Sequence, residues 1–106
     1  MKTIEIGGKA RPVLYDLNAL ADFNTATNTS LASIFEMMGN PLSMNMDQLR
    51  QLAYAGLKEG AEESNIPVDF TLRDVGKWLT TDFDLWKEFM TALAEGMPKA
   101  DTSKKK

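Results

Sequence analysis

Asp82, Asp84 and Glu88 set three carboxylates within seven positions, and carboxylates are the ligands of a hard cation. They lack the spacing and loop glycine of a calcium-binding loop. Acidic groups at a helix start are also stabilised by the helix dipole without any ion, so a structural role is expected. Gly7-Gly8-Lys9 suggests the end of a phosphate loop, but Ala10 follows Lys9 where Ser or Thr is required, and a strand follows where a helix is required. Trp78 and Trp86 have the faces to stack on a sugar or a base. Each also falls on the apolar stripe of its own helix, which favours packing. Glu62-Glu63 reads as a solvated helix end. The chain contains no Cys and no His. Disulfides, thiol nucleophiles, the usual zinc sites and a Ser-His-Asp triad are thereby excluded, and the commonest general acid–base residue is missing. No catalytic, metal or cofactor site emerges. The expectation is a protein that acts by binding and is not an enzyme.

The residues best suited to binding are methionines. Met37, Met38, Met44 and Met46 fall within the ten residues "MMGNPLSMNM". Met is flexible and polarisable, and it recurs on surfaces that adapt to partners. Gly39-Asn40-Pro41 should bring part of this stretch to the surface. The competing reading is that these side chains fill gaps in a core. The four are the candidate partner-binding residues.

The elements that must position them follow from periodicity. Thr3–Ile6 alternates polar and apolar, Gly7-Gly8 suits a tight turn, and Lys9–Tyr15 returns as a second strand. Pro12 lacks an N–H, so this second strand should expose its edge there. A lone hairpin is marginal in water and must pack on the helices that follow. Asp16 is the expected N-cap of a helix carrying Leu17, Leu20 and Phe23, broken by Thr25–Ser30. Ser30 caps a short second helix through Met38, with Leu31, Ile34, Phe35 and Met38 apolar, ended by Gly39-Asn40-Pro41. A third helix runs from Met46 to Ser64, with Asn45 and Gln48 forming a capping pair. Its inner stripe is Leu49, Leu52, Ala53, Gly56, Leu57 and Gly60, while Arg50, Gln51, Lys58, Glu59, Glu62 and Glu63 face mostly outward. Gly56 and Gly60, one turn apart, admit a close backbone. After the linker Asn65–Phe70, Thr71 caps a fourth helix, with Asp74 reaching back and Phe70 and Val75 forming a hydrophobic staple. Thr81 or Asp82 opens a last helix carrying Phe83, Trp86, Phe89, Met90 and Leu93, stopped by Gly96 and Pro98.

The expected fold is mainly helical α+β: an N-terminal β-hairpin (3–15), then about five α-helices (16–96) in one compact bundle. The domain spans 1–98, and 99–106 is a flexible basic tail. Leu17, Leu20, Phe23, Leu52, Val75, Trp78, Trp86 and Phe89 should lie in the core. The 106 residues are 43% hydrophobic and 25% charged, ordinary values for one globular domain. Net charge is −3, but the last eight residues hold four Lys and one Asp, leaving 8 basic and 14 acidic residues elsewhere. Such a body repels nucleic acid. No apolar run reaches the ~18 residues of a membrane span, and no signal peptide is visible. Cytoplasmic residence is expected, with no nucleic-acid or membrane partner.

The stretch "MKTIEIGGKARPVLYDLNALADF" resembles the start of the small tail assembly chaperones of long-tailed bacteriophages and prophages. Members of that family often open with a hairpin of the form "I.I.GK.RPV.F" and a helix "L..L..F". The matching positions are Ile4, Ile6, Gly8, Lys9, Arg11, Pro12 and Val13, then Leu17, Leu20 and Phe23. "LRQLAYAGLKEGAEESN" (Leu49–Asn65) and "FTLRDVGKWL" (Phe70–Leu79) are similar to two later segments of the family. The resemblance covers about residues 1–97 and consists of packing and turn residues. It implies a non-catalytic chaperone in the cytoplasm of the bacterial host, absent from the mature virion. Such a protein binds and solubilises the tape measure protein while tail tube subunits assemble around it. It also implies a tail tube contact through a frameshifted extension. Lys104-Lys105-Lys106 would then reflect an adenine run near the slip site. Self-association through the strand edge near Pro12 is a further expectation. Two other classes compete. "TLRDVGKWLTTDFDLWKEFM" has the outline of a helix-turn-helix, although Asp74, Asp82, Asp84 and Glu88 surround Lys77 and Lys87. A minor tail structural protein would be found in purified particles.

Overall fold

Gly7 and Gly8 hold φ angles of 65° and 85°, the two left-handed residues of a type I′ turn, whose twist matches the strands it joins. They connect β1 (Lys2–Ile6) to β2 (Lys9–Val13) in an antiparallel pair, with Ile6 opposite Lys9, Ile4 opposite Arg11 and Thr3 opposite Pro12. A two-residue turn closes on a hydrogen-bonded pair, and the pairs alternate from there. Thr3 and Pro12 thus form a pair whose backbone groups point apart, where a missing N–H breaks no ladder bond. Ile4, Ile6 and Val13 are buried, while Thr3 and Glu5 are exposed.

The chain is described here from a computed structural model covering residues 1–96. Pro98 and the basic tail 99–106 lie outside the described residues, as do the expectations attached to them. Five α-helices follow the hairpin: α1 (Leu17–Thr27), α2 (Leu31–Gly39), α3 (Met46–Glu63), α4 (Leu72–Thr81) and α5 (Leu85–Gly96). One 3₁₀ turn (Pro41–Ser43) separates α2 from α3. The fold is mainly helical α+β. No helix among the described residues is long and apolar enough to cross a membrane.

The helix starts follow local chemistry. Asp16 Oδ1 accepts from the Ala19 N–H at 3.0 Å, and Ser30 Oγ from the Ser33 N–H at 3.3 Å. Asn45 and Gln48 form a reciprocal capping box at 2.8 and 2.9 Å. Thr71 and Asp74 form another at 3.1 and 2.9 Å, so Asp is long enough for the return bond. Each such cap contributes about 1 kcal/mol. Asn28 ends α1 in the left-handed region (φ 55°) with its N–H on the Asn24 carbonyl.

The hairpin is clamped to α3. A Cβ on Gly60 would strike the Pro12 carbonyl, and one on Gly56 would strike the Tyr15 ring. The Leu14 N–H donates to the Gly56 carbonyl at 3.1 Å, and the buried Tyr15 hydroxyl donates to the Leu52 carbonyl at 2.7 Å. Burial pushes the Tyr15 phenol well above its ordinary pKa. The Pro12 edge is therefore covered by α3 and offers no surface to a second copy. This corrects the expectation drawn from the missing N–H, which described β2 without its neighbour.

Leu20, Phe23, Leu52, Val75 and Phe89 are buried as expected, but Leu17 is 68% exposed. At 3.6 residues per turn, Leu17 lies about 120° around the helix from Phe23. Ala19 shares the inner face instead and is buried. In α2 the buried residues are Ile34 and Met37, while Leu31 and Phe35 are exposed. That helix has more apolar residues than one face can hold.

A candidate partner-binding groove

The N-terminal turn of α3, the 3₁₀ turn before it and the connection between α4 and α5 come together at one end of the molecule. Met46, Leu49, Leu79 and Phe83 line an open groove there, and Leu42, Met44 and Trp86 continue it. Leu42 is 83% exposed, Met46 68% and Phe83 50%. Local geometry holds them out. Asp82 leaves the helical region (φ −137°, ψ 81°) while its N–H still reaches the Trp78 carbonyl, which ends α4. Short bonds from Leu85 to Asp82 and from Trp86 to Phe83, each 3.1 Å, then wind the chain into α5. Phe83 consequently sits in the connection and not on the last helix, which begins at Leu85. Asn40 and Pro41 likewise force the 3₁₀ turn that carries Leu42.

The groove wall has one polar flank. Arg50 donates from Nη2 to Asp47 Oδ1 at 2.6 Å, and its stem passes beside Gly76. Arg50 Nε is buried without a hydrogen-bond partner, the one such side-chain atom among the described residues. Trp86 is half-buried, with Lys87 Nζ 6.0 Å from its ring centre. Trp78 is also only half-buried and lies elsewhere, against the hairpin turn. Neither Trp is fully in the core, and Val75, Leu79, Phe89 and Leu93 fill it instead.

The structure divides the four methionines. Met44 and Met46 line the groove. Met38 is partly buried against the core, and Met37 is 3% exposed and belongs to the core itself. Met37 therefore presents no surface to a partner. Leu42 and Phe83, not singled out from the sequence as binding residues, line the groove beside Met44 and Met46. The signal for Leu42 was its position after Asn40-Pro41, where a helix cannot continue inward. For Phe83 it was the carboxylates on both sides.

Asp82, Asp84 and Glu88 are not gathered into a site. Among the described residues no group of three or more such side chains is placed to hold a metal, and Glu88 pairs with Lys2 at 3.7 Å. Lys9, the lysine of the glycine turn, pairs with Asp69 at 3.0 Å. Asp69 also receives Arg11 Nη1 at 2.8 Å, and Arg11 and then Lys9 hold its carboxyl down at about 2. Arg11 is buried. Its Nε donates to the Ile6 carbonyl at 2.9 Å, and its guanidinium lies 4.6 Å from the Trp78 ring and 5.2 Å from Phe70. Charge, stacking and hydrogen bonds thus tie the hairpin to the linker and α4. Strand parity was the available sign, since Arg11 shares the inward side of β2 with Val13 and needed a partner there.

Glu59, expected outward, is 8% exposed. A hydrogen bond shared with the Asp16 carboxyl, then burial, raise its pKa, while Asn18 acts in the opposite direction. Compared with known proteins, the chain matches no family model, no curated protein and no solved structure.

Proposed function

We propose that this protein is a tail assembly chaperone of a long-tailed phage or prophage, which holds a tape measure protein in solution in the bacterial cytoplasm while the tail tube assembles. The observation that carries the reading is the groove. Leu42, Met46 and Phe83 stand exposed on the 3₁₀ turn, the first turn of α3 and the α4–α5 connection, beside the polarisable Met44. A holding chaperone needs apolar surface of this kind, because apolar contacts are non-directional and tolerate many sequences. It must also stay dissolved with that surface uncovered, and residues 1–96 carry 14 acidic against 8 basic groups. The tail tube protein is the second partner on this reading, reached through a frameshifted extension. A DNA-binding role for α4 and α5 has less support, since Asp74, Asp82, Asp84 and Glu88 stand on or between those helices.

Co-expression with a tape measure fragment tests the reading. The wild-type chain should move the fragment into the soluble fraction. A triple variant, Leu42→Ser, Met46→Ser and Phe83→Ser, should leave it in the pellet while retaining its own melting transition. A fragment equally insoluble with and without the wild-type chain would sink the proposal.

A further inference from the structure

The two outer edges of the hairpin differ. From Pro12 onward the edge of β2 lies on α3, through the Pro12 carbonyl at Gly60 and the Leu14 N–H on Gly56, and among the described residues only Ala10, beside the turn, keeps its outward N–H and C=O uncovered. On β1 the alternation of pairs turns the N–H and C=O of Thr3 and Glu5 outward, because both belong to pairs that are not hydrogen-bonded to β2. No protein group bonds to these four among the described residues, and both residues are exposed. β1 carries no proline and no bulge, devices that commonly blunt a free edge.

We infer that β1 is a self-association edge, pairing antiparallel with β1 of a second copy about a two-fold axis at Ile4. The pattern is self-complementary. Thr3 and Glu5 are two residues apart, each with one outward donor and one outward acceptor. Reversing the strand about Ile4 sets Thr3 opposite the second copy's Glu5 and Glu5 opposite its Thr3. All four outward groups of each copy are then satisfied by the other, joining two hairpins into one four-stranded sheet. Charge disfavours the neighbouring register on the turn side. Shifting the pairing by one step towards the turn would set Glu5 against Glu5, a like-charge pair directly opposite. In the Ile4-centred register each carboxylate meets a neutral hydroxyl. This inference is independent of the groove, which lies at the α3 N-terminus.

Sedimentation equilibrium of the full chain tests it. The wild-type protein should show a concentration-dependent rise from the 11.8 kDa of one chain towards twice that mass. Thr3→Glu puts carboxylates opposite one another at both ends of the pairing and should return the protein to a single-chain mass. Adding Glu5→Lys to that variant restores opposite charges across the same pair and should restore the dimer. These side chains are exposed, so the melting temperatures should stay close together. A monomer at all concentrations overturns the inference. So does a dimer that ignores Thr3→Glu, or a Thr3→Glu, Glu5→Lys variant that remains monomeric. Association that appears only after removal of residues 97–106 would assign the edge to that segment and also overturn it. Loss of the dimer with tape measure solubilisation intact, or the reverse, separates this inference from the chaperone reading.

Discussion

The C-terminal half of α3 meets the hairpin through Gly56 and Gly60 with no room for a methyl group, whereas its first turn holds Met46 out into solvent above an open groove. One helix thus carries a saturated contact and an unsaturated one about three to four turns apart. At the saturated end backbone packs on backbone, and a tyrosine hydroxyl donates to a carbonyl. At the open end large apolar side chains are held without a partner. A small domain can leave apolar surface uncovered at one end because packing at the other does not depend on it. Stability and binding should therefore be separable by mutation along a single helix.

Gly60→Ala gives the largest expected effect. On an ordinary exposed helix this change gains up to ~1 kcal/mol. Here the added methyl meets the Pro12 carbonyl, so a loss of about 1–3 kcal/mol is expected in urea unfolding. A stabilised variant would show that the seam is loose and would remove the contrast. Tyr15→Phe is next, because it removes the donor to the Leu52 carbonyl within the same seam. About 1 kcal/mol should be lost, read from the same unfolding curves.

The third test uses pH. Asp69 sits at about 2 in the fold against an ordinary 3.8, with Arg11 and then Lys9 as the cause. A lowered carboxyl contributes stability that is complete above the unfolded value. That contribution should be present above about pH 4 and fade as pH falls through about 2. Asp69→Asn should flatten the fall in melting temperature across that window and leave the slope near pH 7 alone. An unchanged acid slope would mean that the Arg11 anchor does not tie the hairpin down. The smallest effect is expected at the open end. Met46→Ser and Phe83→Ser should each change stability by no more than ~0.5 kcal/mol. A cooperative loss of several times that amount would make the groove part of the core.

What the sequence revealed follows the same division. Asp16, Asn45 with Gln48, and Thr71 with Asp74 were legible because a cap depends on residues three apart, whatever the rest of the chain does. Gly56 and Gly60 were legible as a close approach, although not what approached. The failures are at positions decided by distant neighbours. Leu17 has the right residue type and a spacing of three, yet the inner face of α1 is set by where the hairpin and α3 lie. Glu59 looked solvated until α1 was placed beside it. Within the groove, Met44 and Met46 could be chosen by density, but density could not separate them from Met37. That distinction required knowing how α2 turns against the core.

Tyr15 donates to Leu52 across 37 positions of sequence, and this separation has a consequence during synthesis. At roughly 5–20 residues per second, the hairpin precedes the helix it packs on by about 2–7 s. An isolated hairpin is marginal over that interval. Val13 and Tyr15 have nothing yet to cover them, and both strand edges are open, because the glycines that seal β2 have not been made. The nascent chain is therefore briefly in the position of its proposed client: an apolar segment waiting for its partner, with a free strand edge that a neighbouring nascent chain can pair with first.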